Sequence, residues 1–382
     1  MKIKYVVFCL FLSLNPAYSA PKSSGFFAQN GSLISSQSGS VQSMGGSNAP
    51  TLTGAKVYSR NLEANALYIQ GLDYLSKGKA WAGGSVENAK KALEFFRQAA
   101  KKDPQFAQAY IGQADALDAA SFSAPGSMEP AKVYREQEAL ALKAVALNDS
   151  LPEAHSMLAQ IYFDSEYDWP KAEKELKRTI ELAPKVSRSH TAYALFLGRM
   201  GRFNEAEVQA KLAQTLDEKS AGPNRAMLEI LYSQHKDDAA VEQGIEALSK
   251  DKPLPTHFLL GLVYIHQGKF QKGIEEEKLA TALGDAGTLS TLAYAYAMAG
   301  DKANLKSTLG RFNQHPAHDH VFYRLAAVYV ALGDKDRAIS LIEKDYQHRN
   351  NWLNHLKVDP VMDPLRQEPR FKQLMRKMNL EP

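Results

Sequence analysis

The sequence predicts an all-α protein, a solenoid of about eight helical hairpins finished by a C-terminal capping helix. Three observations lead there. A phrase recurs: "LFLGRMGRFNEAEVQA" (195–210), "VYIHQGKFQKGIEE" (263–276) and "VYVALGDKDRAISLI" (328–342) each pass from an apolar helical pattern through a glycine turn into a second helical pattern. The turn glycines Gly201, Gly268, Gly300 and Gly333 stand 67, 32 and 33 residues apart, and the first interval is two units with His235 in the place of glycine at the middle turn. Finally, no stretch alternates like a strand and then meets a helix in a βαβ rhythm.

The chain opens on Lys2 and Lys4, then "YVVFCLFLSL", then "NPAYSA". A basic start, a short apolar run and small residues at its exit predict a secretory signal over residues 1–19, and hence a periplasmic or secreted bacterial protein. Ten apolar residues cannot span a hydrocarbon layer of roughly 30 Å. Cys9 is the only cysteine and lies inside that signal, so the mature chain is predicted to carry no disulfide, thiolate nucleophile or cysteine metal site. Residues 20–58, rich in Ser, Gly, Gln and Asn, read as a flexible leader that cannot bury enough surface to order itself. The formal charge of +4 falls to +2 without Lys2 and Lys4. Basic and acidic residues alternate along the chain instead of pooling, which argues against nucleic acid as a partner.

Residues 59–348 hold the repeats. Each needs small residues where paired helices approach, among them Ala159, Ala194, Gly261, Ala293 and Ala326, because axes 8–10 Å apart leave little room for large side chains. Tyr162, Tyr264, Tyr296 and Tyr329 are placed to fill space between successive pairs. Pro104 and Pro184 end second helices, since proline lacks the amide and restricts its predecessor. A single hairpin would expose its apolar stripe, whereas stacked neighbours bury it. Insertions interrupt the pattern at 78–88, which contains Trp81, and at 121–129. After the last hairpin, residues 349–382 are broken by Pro360, Pro364 and Pro369. They then place Phe371, Leu374, Met375 and Met378 on one face, which reads as a cap over the end of the array, with Arg370, Lys372, Arg376 and Lys377 toward water.

With Leu325, Ala326, Tyr329, Gly333 and Ala338 in the last unit, and Tyr193, Ala194, Leu197, Gly201 and Ala206 in an earlier one, the chain resembles a tetratricopeptide-repeat protein. The resemblance implies a right-handed superhelix whose first helices line a concave groove. "YIQGLDYL" and "ALEFFRQAAKKDPQFAQAYIGQADAL", together with the ending, resemble the repeat regions of bacterial membrane-linked transcription regulators and adenylate cyclases. That likeness runs over about 60–380, without the winged-helix or cyclase domain those proteins carry.

No nucleophile elbow, phosphate-cradling loop or paired catalytic carboxylates stand out, and no enzyme activity or cofactor is expected. His315, His318 and His320 in "HPAHDH" are weak metal candidates, since three imidazoles so close could hold zinc, copper or nickel. The groove offers more. Ligand-facing positions mapped from the resemblance include Tyr68, Asp115, Gln160, Arg188, Leu195 and Glu229. The proposed partner-binding set is Arg225, Phe258, Leu262, His266, Tyr294, Met298, Tyr323 and Arg324. From 258 onward this lining is apolar and aromatic, with Arg324 as an anion anchor, and would suit a peptide bearing apolar side chains and a carboxylate. The expectation is an exported scaffold for a protein or peptide, monomeric or self-associating. The alternatives are a ligand- or metal-sensing module that works with a separate effector chain, and a secreted effector that binds host proteins.

Overall fold

The computed structural model describes residues 58–78, 85–123, 130–250, 254–283, 286–314 and 322–380. The signal and almost all of the leader, Trp81 and the His315, His318 and His320 cluster lie outside them. Among the described residues there is no strand and there are eight hairpins. They pair α1 (Leu62–Gly78) with α2 (Val86–Lys102), α3 (Ala107–Ser123) with α4 (Pro130–Leu147), and α5 (Pro152–Ile161) with α6 (Trp169–Leu182). Next come α7 (Ser187–Arg199) with α8 (Phe203–Leu216), α9 (Ala221–Ser233) with α10 (Asp237–Lys250), and α11 (Leu254–His266) with α12 (Phe270–Leu283). The last two are α13 (Ala286–Met298) with α14 (Lys302–Asn313), and α15 (Phe322–Ala331) with α16 (Lys335–Gln347). Two 3₁₀ turns, Asn351–His355 and Pro360–Leu365, and a short α17 (Pro369–Lys377) complete the chain.

Local chemistry explains the hairpins. Gly268 takes φ +73 at its turn, a left-handed conformation that costs a side-chain-bearing residue energy. Asp168, Asp301 and Asp334 accept hydrogen bonds from backbone amides of the first turns of α6, α14 and α16, satisfying donors that a helix start leaves open. Phe96 is wholly buried between two glycines: a Cβ on Gly71 or on Gly112 would come within 2.6 Å of its ring. The first two hairpins therefore interlock through one aromatic wedge.

The two helices of a hairpin differ in kind. Second helices are amphipathic; α6 buries only Trp169, Ala172, Leu176 and Thr179. First helices are buried almost all round: every residue of α7 from Ser189 to Arg199 is buried, as is every residue of α5 from Ala154 to Ile161. An open groove would leave one side of these helices wet. Something covers it.

The cover is the chain's own C-terminal segment. Residues expected only to cap the last hairpin do pack on α16, where Arg370 pairs with Glu343 at 2.7 Å and Lys335 with Glu368 at 2.8 Å. Arg370 is thus held by carboxylates and is not simply solvated. The segment also runs back to the third hairpin. A π-helical turn, Tyr162–Glu166, extends α5, and Tyr167 then adopts φ 53. There the Tyr167 hydroxyl donates to the Asn350 carbonyl (3.2 Å), Arg349 donates to the Ser165 carbonyl (3.0 Å), and the Trp169 indole donates to the Met378 carbonyl (2.8 Å). The end of the eighth hairpin is fastened to the third.

Candidate functional site

The concave face of α9, α11, α13 and α15 meets the segment 351–362. Arg324, from α15, sits in the angle of two rings: its guanidinium carbon is 4.1 Å from the centre of Phe258 and 3.9 Å from that of Trp352. Such stacking suits a planar, weakly hydrated cation. Trp352 also stacks on His355 at 5.1 Å and meets Phe258 edge-on at 6.0 Å. The Tyr323 hydroxyl donates to Asp359 at 2.7 Å, and its backbone amide donates to Asp345. Burial pushes the Asp345 carboxyl up to about 8, against the hydrogen bonds it accepts from the α15 amides and from Asn350.

Beneath this layer runs a buried polar chain. Arg199 of α7, 1% exposed, donates to Glu229 of α9 (2.8 Å) and to the Asn354 amide oxygen (3.2 Å), and Asn354 donates to Asp164 (3.0 Å). Four stretches of chain therefore share one network, in which the Arg199 charge meets Glu229, while burial raises the Asp164 carboxyl well above the usual carboxylate range against the nearby Arg199 charge. Burial by itself would raise the Glu229 carboxyl, but Arg199 and the hydrogen bond to His355 outweigh it and hold Glu229 at about 2. Burial lowers the His355 imidazole, with the Arg199 charge acting the same way. Burial pushes Glu277 of α12 up to about 8, opposed by a 2.7 Å hydrogen bond from Thr291 and the nearby Arg324 charge.

The structure gathers five of the eight expected groove residues, Phe258, Leu262, Tyr294, Tyr323 and Arg324, around one cavity, with Glu229 beside them. The opposite wall is Trp352, His355, Val358, Asp359, Val361 and Met362. Only about 50 Å³ remains, room for a few waters, whereas ligand pockets run to roughly 300–1,000 Å³. Arg225, His266 and Met298 lie outside this lining. His266 sits at the exposed end of α11, bound to Asp237 at 2.7 Å, and Met298 is 37% exposed at the end of α13. Arg324, expected as an anion anchor, is instead packed into the angle between two aromatic rings. Trp352, Asn354 and Asp359 were missed as groove residues. That something covers this wall was legible, since α11 ("LPTHFLLGLVYIH") and α13 ("AGTLSTLAYAYAM") carry few polar residues on any side and such helices are covered all round, but which residues do so was not.

At the seam between the third hairpin and the tail lies an open cleft of about 580 Å³, walled by Trp169, Phe196, Met200, Glu166, Glu173 and Asn379. Among the described residues no group of three or more His, Cys, Asp or Glu is placed to hold a metal ion, and no helix is long and apolar enough to cross a membrane.

This geometry defines an all-α solenoid of repeated helix pairs, of the tetratricopeptide type. Among solved structures the chain is similar to yeast Tom70, at 16% identity and a TM-score of 0.51, over 84% of this chain and 69% of that one. It is also similar to pilF of Pseudomonas aeruginosa (16% identity, TM-score 0.39, 60% of this chain and 98% of that one). A tetratricopeptide protein of Thermus thermophilus aligns at 18% identity and a TM-score of 0.41, over 49% of this chain and 91% of that one. At these identities the likeness is one of fold, shared with such solenoids as a class and not with regulators or cyclases in particular. No protein-family model and no curated protein matches the sequence.

Proposed function

We propose that this chain is a non-catalytic, exported protein-binding scaffold whose groove recognises an extended peptide segment and whose own C-terminal segment is the resident occupant. One observation supports this reading: Phe258, Leu262, Tyr294, Tyr323 and Arg324, expected from sequence to line the groove, form one wall of a cavity whose other wall is segment 351–362 of the same chain. The segment has the form of a bound ligand, with an aromatic anchor, Trp352, that stacks on Arg324 and meets Phe258 edge-on, and two 3₁₀ turns in place of long helix. A partner bearing an aromatic anchor and a carboxylate at like spacing would compete for the same contacts. The basic start and apolar run at residues 2–14 support export, as does the lack of any cysteine after Cys9.

A second reading is favoured by depth. Asn354 is wholly buried and hydrogen-bonded on both sides of its amide, which suits a segment that never leaves. In that case a partner meets the open cleft at the seam.

A labelled synthetic peptide of residues 349–366 separates the two. It is titrated into the full chain and into a Trp352→Ala, Asn354→Ala double variant, whose resident segment has lost its anchors. Saturable binding to the variant, at least tenfold tighter than to the unaltered chain and abolished when the peptide itself lacks Trp352, supports an exchangeable groove. No binding to a variant of unchanged helical content means the groove is closed for good.

A further inference from the structure

We infer that His235 and His266 form a two-ligand site for a divalent transition-metal ion, zinc being the simplest probe, at the edge where the C-terminal segment crosses α9 and α11. The sequence marked His235 only as the residue standing where sister turns use glycine. Its backbone holds φ 57, while Gly201, Gly268, Gly300 and Gly333 hold φ 71 to 78. A left-handed conformation is strained for a residue with a side chain, so this turn keeps an imidazole where glycine would be easier.

The imidazole is aimed. His235 Nδ1 lies 3.3 Å from His266 Nε2, with the rings 5.0 Å apart. Two imidazole nitrogens sharing a tetrahedral ion, each about 2.0–2.1 Å from it, stand about 3.3–3.4 Å apart. The far nitrogens face carboxylates. His266 Nδ1 is 2.7 Å from Asp237 Oδ2, and His235 Nε2 is 3.4 Å from Asp363 Oδ2. The Asp237 contact places the His266 proton on Nδ1 and leaves Nε2 as a bare lone pair. Without an ion, His235 Nδ1–H can donate to that lone pair across 3.3 Å; with the His235 proton moved to Nε2, toward Asp363, which also holds Arg366 at 2.6 Å, a cation takes the place of the shared proton. A carboxylate behind each ligating imidazole is the usual outer support of such a site. The edge of the Tyr232 ring, 5.9 Å from His266, closes one side. The chain supplies two ligands here, and water fills the remaining positions. Because Asp363 belongs to the C-terminal segment, an ion would tie that segment to two inner hairpins.

The test is a zinc titration of the full chain, purified without a histidine tag and followed by calorimetry. One saturable ion at this site is expected, with affinity at least tenfold weaker in His266→Ala and in His235→Gly. The glycine variant keeps the turn its four sisters use, so its loss of binding reports the ligand and not the fold. Absence of saturable binding overturns the inference. So does affinity unchanged in both variants, or binding lost instead in a His315→Ala, His318→Ala, His320→Ala variant.

Discussion

The guanidinium of Arg324 lies 3.9 Å from the ring centre of Trp352 and 4.1 Å from that of Phe258, in the angle between two rings that meet edge-on. A residue of the eighth hairpin thus clamps the chain's own tail, and the same clamp reaches a first helix two hairpins earlier. The contact turns what would be an open array into a closed one. It also explains how a cation can be 4% exposed: two aromatic faces replace part of its water.

Trp352→Ala removes the anchor and leaves a cavity beside Arg324. A loss of about 3–5 kcal/mol in urea unfolding is expected. Arg324→Lys keeps the charge but not the plane, and should cost less, about 1–2 kcal/mol. Equal stability of all three proteins would show that the clamp carries no weight.

Stability should depend on pH with a definite sign. Glu277 and Asp345 each titrate near pH 8 in the fold, whereas unfolded carboxyls titrate near pH 4. Over about pH 4 to 8 the folded chain holds protons that the unfolded chain has released, so their stabilisation, complete below pH 4, is lost as pH rises through 8. Glu229 and Glu173, held at about 2, act in the opposite sense: their contribution stands above about pH 4.5 and is lost as pH falls toward 2. Burial opposes the low value of Glu173, and hydrogen bonds from Lys177, Arg202 and Tyr193 prevail. The melting midpoint should peak at mildly acidic pH and decline toward pH 8, with Glu277→Gln flattening the decline. A midpoint that climbs from pH 5 to 8 would contradict these assignments.

Gly71→Ala and Gly112→Ala each drive a methyl against Phe96, and each should cost about 1–3 kcal/mol. In a Phe96→Ala background the same changes should cost far less, because the clash is gone. A double-mutant cycle by thermal or urea unfolding measures the difference, and simple additivity would rule out the shared wedge.

His235→Gly should raise stability by about 1 kcal/mol in the absence of metal, since glycine occupies the left-handed region without penalty. Differential scanning calorimetry of the two proteins in chelator reads this directly. A lower midpoint would mean that the His266 contact outweighs the backbone cost.

Much of this architecture was legible in the chain. The spacing of Gly201, Gly268, Gly300 and Gly333 marks four turns, and His235 marks a fifth. The prolines after α2 and α6, Pro104 and Pro184, mark helix ends. These signals are local, because a turn or a cap needs only a few neighbouring residues. The groove residues Phe258, Leu262, Tyr294, Tyr323 and Arg324 could be assigned to one inner face, since the repeat fixes which side of each first helix turns inward.

What lies against that face could not be assigned from the repeat. Trp352 meets Arg324, Asn354 meets Asp164 and Trp169 meets Met378, and these contacts link segments up to 209 residues apart. No periodicity in the chain encodes them. Repeat spacing sets the shape of each hairpin and its neighbours, but small rotations accumulated over six hairpins bring the third and the eighth together. The path of the tail follows from that closure, which buries the apolar inner wall against the tail's own apolar residues.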